Sequence, residues 1–433
     1  MQVEYIAQEV LRGSRVLACA ASNIAVDNLI EKLSQIRTSR SREIRIIRIG
    51  HPARLLPEIL SHSLDHKILY SDDSSLARDC RNEIKSLNQK MIKLDRRNFM
   101  ERREIKARIR DLYKEERKRQ KMAMDRAMDG ANVVCCTLST AAASQIKKLP
   151  VFDVVVIDEA GQATEPACWT ALLKGRKAVL AGDHLQLPPT VLSQKAARNG
   201  LAMTLFERIQ KYLGREVSKM LLTQYRMNEK IMFWSSTQMY DSALVAHDTV
   251  SNQTLDHLLT SNSRLCEPKP CGFPVLLYID TAGCDMEEEN EEDGNSIRNP
   301  GEANLVFVHV QMLLSAGVGT QDIGIITPYS AQVALLRSIR NEKLKQDLEI
   351  GTIDGFQGRE KEAIIISMVR SNDKKEVGFL SDERRMNVAI TRAKRHCVLI
   401  GDSETISSND FLNNLLEHFQ NYGDYESAAS YAM

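Results

Sequence analysis

Short apolar runs recur along the chain, each stopping on a polar or small residue: Arg15–Ala20, Ile44–Ile49, Ala131–Cys136, Val154–Ile157, Ala178–Ala181, Leu276–Asp280, Ile323–Ile326, Ala363–Met368 and Cys397–Gly401. Runs rich in Val, Ile and Leu predict strands buried on both faces, as in a parallel sheet. Helical segments lie between them. Residues 2–12 form a helix closed by Gly13. A second helix opens at Ser22 and continues through Ile30 and Leu33, a short one spans Glu165 to Leu173, another spans Pro300 to Leu314, and an amphipathic one covers Phe411 to Phe419. Strand–helix alternation through both halves predicts two parallel-sheet α/β domains, residues 1–210 and 211–433.

One stretch breaks the alternation. From Leu76 to about Met128 the chain is densely charged and has no Gly or Pro, with apolar positions Ile84, Leu87, Met91 and Leu94, then Ile105, Ile109 and Leu112. That spacing predicts two long helices packed as an antiparallel hairpin, an insertion over about 60–130. The second half is basic, through Arg102, Arg103, Lys106, Arg108, Arg110, Lys114, Arg117, Lys118, Arg119 and Lys121. Such a run is either a solvated helix face or a surface for a nucleic-acid backbone. The acidic run Asp285 to Asp293 has no core-forming residue except Met286 and is expected to be a disordered loop. Residues 247–273 carry no clear periodicity.

Composition narrows the class. The chain has 433 residues, 43% of them hydrophobic, and a net charge of +1. That length suits two or three domains with real cores, and any basic surface must be local. No apolar run is long enough to cross a membrane, and Met1-Gln2-Val3-Glu4-Tyr5 is not the start of a signal peptide. The nine cysteines form no Cys-x-x-Cys pair; Cys135–Cys136 are adjacent, and Cys266 and Cys271 are separated by four residues. Thiols in a reducing compartment, nucleus or cytoplasm, are expected rather than zinc.

Candidate chemistry gathers where apolar runs end. Val154-Val155-Val156-Ile157 stops at Asp158-Glu159. Open α/β sheets bind ligands at the carboxyl ends of their strands. There Asp158 suits a Mg²⁺ ion, directly or through its water shell, and Glu159 suits a water poised against a γ-phosphate. A strand end reaching the surface is the plainer alternative. The next apolar run continues Gly182-Asp183-His184-Leu185-Gln186-Leu187-Pro188. Ser22 is either an N-cap or part of a helix start that grips phosphate. In Gln224-Tyr225-Arg226-Met227 the ring of Tyr225 suits a nucleobase and Arg226 a γ-phosphate. The alternative is a core tyrosine beside a surface arginine.

These phrases resemble the motifs of superfamily 1 helicases. Asp158-Glu159-Ala160-Gly161-Gln162 matches motif II, Gly182 to Pro188 motif III, and Ser22-Asn23-Ile24-Ala25-Val26-Asp27 motif Ia. Thr137-Leu138-Ser139-Thr140 matches motif Ic, Gln224 to Met227 motif IV, Ile350 to Glu360 motif V, and Arg385 to Lys394 motif VI. Ala20 to Asn28, Leu180 to His184, Asp354 to Glu362 and Val369-Arg370-Ser371-Asn372 narrow the likeness to the Upf-like branch, and within it to the Smubp-type helicases. The resemblance covers essentially the whole chain. It implies two RecA-like P-loop NTPase domains and ATP-driven 5′-to-3′ movement on single-stranded DNA or RNA by a monomer. It implies catalytic roles for Asp158, Glu159, Gln186, Arg226 and Arg392, with Arg392 an arginine finger in cis. Tyr225, Gln186, Arg226, Glu360 and Arg392 would contact the nucleotide, Asp158 would hold Mg²⁺, and Ser22, Asn23, Thr137, Thr327 and Pro328 would contact nucleic acid. Motif VI is expected to be helical, with Val388 and Arg392 on one face.

One departure stands against the match: the sequence has no Gly-x-x-x-x-Gly-Lys-Ser/Thr loop to cradle the phosphates. A chain truncated at its amino terminus is expected. The alternative is a short product that binds nucleic acid without hydrolysing ATP.

Overall fold

The computed structural model describes residues 1–36, 44–51, 53, 55–94, 98–262, 272–290, 296–340 and 347–431. The chain divides into two compact units, residues 1–184 with 188–217, and residues 185–187 with 218–433.

The first unit is built on a wholly parallel sheet ordered β2-β3-β1-β4-β5. Its strands are β1 (Val16–Ala20), β2 (Ile46–Ile49), β3 (Val133–Thr137), β4 (Phe152–Asp158) and β5 (Gly175–Leu180). Side chains alternate between two cores, one per face. Leu17, Cys19, Val134, Cys136, Val155 and Ile157 enter one; Val16, Ala18, Val133, Cys135, Val154 and Val156 enter the other. This is why the runs show no polar alternation. The helix Gln2–Leu11 lays Ile6 and Val10 on the second face. Among the described strands β5 is an edge, and its Arg176, Lys177 and Ala178 are exposed.

The hairpin forms from Asp72–Lys93 and Phe99–Gly130. Its apolar seam is thin: Ile84, Ile105 and Leu112 are buried, whereas Leu87, Met91 and Ile109 are half-buried. Ion pairs add to it across the helices, among them Arg108–Glu83 (2.9 Å) and Arg126–Asp73 (2.6 Å). The base of the longer helix anchors in the unit's core through Met128.

The second unit holds a short pair, β6 (Thr223–Gln224) with β7 (Val245–Ala246), and a six-stranded parallel sheet ordered β12-β11-β13-β14-β8-β15. The sheet comprises β8 (Leu276–Asp280), β11 (Ile323–Thr327), β12 (Glu349–Thr352), β13 (Lys361–Ser367), β14 (Ala393–Gly401) and β15 (Asp424–Ser427), and the hairpin β9 (Glu289–Asn290) with β10 (Ile297–Arg298) lies apart from it. The same two-faced alternation recurs, with Tyr278, Ile326, Ile364 and Leu399 in one core and Ile279, Ile325, Ile365 and Val398 in the other. β15 escaped the sequence reading because its residues are exposed, so it shows no apolar run.

The acidic run departs from expectation. Residues 285–290 are ordered: Glu288 accepts hydrogen bonds from the Ser371 amide and the Asn372 side chain (both 3.0 Å) and pairs with Arg370 at 2.9 Å. Within this acidic run Glu288 is the partner of the buried Arg370 and Glu289 that of Arg298, which composition alone does not reveal. Residues 291–293 lie outside the described residues, as do Cys266 and Cys271. The described cysteines are all free thiols.

Candidate functional site

In the first unit, three candidate segments meet at one sheet edge because β1, β3 and β4 run parallel in register, with Ala20 beside both Thr137 and Asp158. Asp158 closes β4. Its carboxylate accepts from the Gln2 side chain (2.8 Å) and from the Glu159 amide (2.9 Å). Burial raises its pKa, outweighing those hydrogen bonds and the charge of Lys32. Glu159 turns the chain sharply, at φ 52°. A non-glycine residue in the left-handed region is strained, and such strain persists where surrounding structure enforces it. The enforcement is visible: the Ala160 amide donates to Ala181 O and the Ala181 amide to Ile157 O, both at 2.8 Å. A Cβ on Gly161 would stand 2.5 Å from Asp183 O, and one on Gly182 would stand 2.7 Å from the Gly161 amide nitrogen. Two glycines therefore let the turn after β4 and the segment after β5 lock together. The Gln162 side chain donates to Glu159 Oε2 at 2.7 Å.

The other predicted positions of this unit have structural duties. Ser22 caps its helix, accepting from the Ala25 amide at 3.1 Å, and stays exposed. Asn23 Oδ1 accepts from Arg48 at 2.8 Å. The Thr137 hydroxyl contacts those of Thr140 (2.8 Å) and Ser139 (3.1 Å). Sequence reading missed Arg48, which is fully buried and paired with Asp27 at 2.9 Å. The signal was present: one arginine inside the apolar run Ile46-Ile47-Arg48-Ile49 must find a partner.

In the second unit the cations come together. Arg226 Nε pairs with Glu360, and its Nη1 donates to Thr391 O at 3.2 Å. Arg392 is 2% exposed and donates to Val388 O (2.9 Å), Arg359 O (3.3 Å) and Thr391 Oγ1 (3.1 Å). Thr391 thus lies between the two guanidinium groups. Burial alone would raise the Glu360 carboxyl, but Arg226 and Lys394 outweigh it and hold the pKa below the usual carboxylate range. Lys394 bridges Glu360 (3.4 Å) and Glu362 (3.1 Å).

Motif VI is not helical throughout. The helix Glu383–Ile390 ends before Arg392, which stands in the turn into β14. The reason is local: the Thr391 hydroxyl donates back to Asn387 O at 2.7 Å, closing the last turn, and Ala393 already pairs with Lys361 in the sheet. Tyr225 is 66% exposed, its ring 4.4 Å from that of His247. Gln186 belongs to the short segment 185–187 that joins this unit, anchored by Leu187 in the core and by the Asn387 side chain donating to Leu185 O at 2.9 Å. Thr327 and Pro328 end β11, with Thr327 buried.

A buried polar node also escaped sequence reading. Glu302 accepts from the Ser367 hydroxyl (2.6 Å) and the Val369 amide (2.8 Å), and Gln332 bridges Asn299 and Ser367. Burial pushes the Glu302 carboxyl up to about 8. The node holds Val369 at φ 73°, a costly conformation for a β-branched residue.

Comparison with known proteins adds an independent line. Residues 1–194 match one AAA domain family and residues 201–404 a second. The chain is 45% identical to the DNA-binding protein SMUBP-2 of Rattus norvegicus, over 99% of this chain and 42% of that protein. It is 44% identical to the DNA polymerase alpha-associated DNA helicase A of Schizosaccharomyces pombe, over 93% and 59%. It is 34% identical to a regulator of nonsense transcripts 1 homolog of Arabidopsis thaliana, over 94% and 30%. The chain therefore spans between about a third and three-fifths of the length of these relatives.

Proposed function

The chain belongs to the Upf-like branch of the superfamily 1 helicases, with SMUBP-2 among its relatives, and from that premise we propose an ATP-driven motor that moves 5′ to 3′ along single-stranded DNA or RNA. The observation that carries this reading is the turn after β4. There a strained Glu159 follows a half-buried Asp158, and Gly161 and Gly182 clamp the backbone that presents them. A carboxylate fixed this way accepts the proton of an attacking water, or orients that water, against a phosphoryl group.

The donor set fits magnesium, which favours one or two carboxylates plus substrate phosphates: Asp158 would hold the ion, which screens phosphate charge. Arg226 and Arg392 supply the cations that offset charge developing on the transferred phosphoryl group. In this reading Glu360 holds Arg226 ready, and Tyr225 offers an exposed ring to the base. Gln186, in the short stretch anchored by Leu187, would contact the nucleotide. Ser22, Asn23, Thr137 and Pro328 would form the contacts to nucleic acid, with Thr327, fully buried, holding the strand end behind Pro328.

Residues 1–433 contain no phosphate-cradling glycine–lysine loop, which favours a second reading for this chain taken alone: nucleic-acid binding without hydrolysis. One experiment separates the two. Phosphate release is measured with and without single-stranded nucleic acid, for residues 1–433 and for a longer protein that supplies the loop. The motor reading expects stimulated turnover only in the longer protein, lost in Glu159→Gln. Turnover in the longer protein that survives Glu159→Gln would overturn it.

A further inference from the structure

Phe379 is 53% exposed. One exposed aromatic ring means little by itself, but here every neighbour works to keep it out. Leu380, the next residue, is fully buried in the core. On the other side Gly378 sits at φ 54°, and a Cβ there would lie 2.4 Å from Arg370 Nη1 and 2.7 Å from the Tyr329 hydroxyl. That hydroxyl accepts from the Phe379 amide (3.3 Å) and from Arg370 (3.4 Å). Arg370 is itself buried and tied to Glu288 at 2.9 Å. Phe379 thus has a fixed backbone on a buried polar foundation, and it cannot fold inward without breaking it.

The surroundings point to the occupant. Arg385 places its guanidinium carbon 5.4 Å from the ring centroid, and Arg385 is steadied by Asp354 (3.7 Å) and Asp382 (3.8 Å). Tyr329 lies 5.4 Å away, tilted at 43°; it follows directly on Thr327–Pro328 at the carboxyl end of β11. Lys374 and Lys375, exposed, sit on the same loop. A rigid ring flanked by cations, beside a strand end read as a backbone contact, is the build of a stacking platform for single-stranded nucleic acid.

We propose that Phe379 stacks against an unpaired nucleobase of the bound strand. This rests on the nucleic-acid reading above, for the same sheet edge. The test measures binding of residues 1–433 to fluorescent oligo-deoxythymidine and oligo-uridine, and to an abasic strand of equal length. Phe379→Ala and Phe379→Leu should each weaken binding to the base-bearing strands by about tenfold, while Phe379→Tyr and Phe379→Trp retain it. The salt dependence should keep its slope, since no phosphate contact is lost. On the abasic strand all variants should bind like the parent. Equal binding of Phe379→Ala and parent on base-bearing strands would overturn the proposal. So would equal losses on base-bearing and abasic strands, which indicate a disturbed fold, or full retention by Phe379→Leu, which indicates apolar bulk. A parent chain that binds no single strand would instead remove the nucleic-acid reading, and this inference with it.

Discussion

At the carboxyl edge of the first sheet the candidate groups are acids held by backbone: Asp158 ends a strand, and Glu159 is fixed in the left-handed region by glycine-tight packing. In the second unit they are cations whose own side chains are bonded into the fold, near the amino ends of β13 and β14: Arg226 on Glu360, and Arg392 against two backbone carbonyls and the Thr391 hydroxyl. The interiors differ in the same spirit. The first unit buries a charged pair, Arg48–Asp27. The second buries groups that stay neutral: Glu302, raised to about 8 by burial, and the stacked His309 and His396, whose ring nitrogens lie 3.0 Å apart. Burial holds both histidines below their ordinary range. A group fixed by backbone can be replaced without unfolding its neighbours. A group whose own side chain is bonded into the fold cannot.

The contrast predicts how variants separate activity from stability. In a protein that supplies the phosphate loop, Glu159→Gln should cut turnover by about 10²–10⁴-fold and leave the unfolding midpoint unchanged. Arg392→Ala should cut turnover by about 10³-fold or more and also destabilise the second unit by about 1–3 kcal/mol, since buried oxygens lose their donor. Phosphate release and denaturant melts check both. Equal stability of the two variants would erase the distinction.

The buried pair gives the next effect. Arg48→Met strands a buried Asp27 and should cost the first unit about 3–5 kcal/mol. Arg48→Met with Asp27→Leu should recover much of that loss. Hydrogen exchange resolved by unit should place the damage among β1, β2 and β3 and spare the second sheet.

The second unit should instead respond to pH. Below about pH 6.5 the unfolded chain protonates histidines that the native state keeps neutral, so stability falls by at most about 1.4 kcal/mol per pH unit for each ring. The native state retains the Glu302 proton while the unfolded chain releases it above its ordinary carboxylate range, so stability also falls as pH rises toward 8. Stability of this unit should peak at about pH 6.5, where the rising histidine slope and the falling Glu302 slope cancel. Glu302→Gln should flatten the alkaline side and His309→Gln the acid side, read from urea midpoints across pH.

The smallest effect concerns the hairpin. Arg119 is tied to Glu115 at 2.7 Å and lies near Asp73, which removes it from the candidate surface. Arg110, Arg117 and Lys121 remain exposed and share the helix face opposite Ile105 and Leu112. Replacing all three with Gln should lower the slope of log affinity against log salt by about 2 for a single strand. An unchanged slope would return this face to plain solvation.

Much of this protein was legible in its residues. Apolar runs ending on polar residues placed nearly every core strand, because a strand buried on both faces has no other pattern to show. Ser22 marked its helix start. The same reading could not see what depends on long-range partners. Exposed β15 has no pattern of its own and exists because β8 offers an edge. Glu288 looked like part of a solvated acidic run until folding set it against Arg370, some eighty residues away. Arg392 followed helical spacing, yet the Thr391 hydroxyl and the pull of the sheet ended the helix before it. Local sequence sets periodicity and caps; which charge meets which, and which ring is held outside, is decided only when the chain closes on itself.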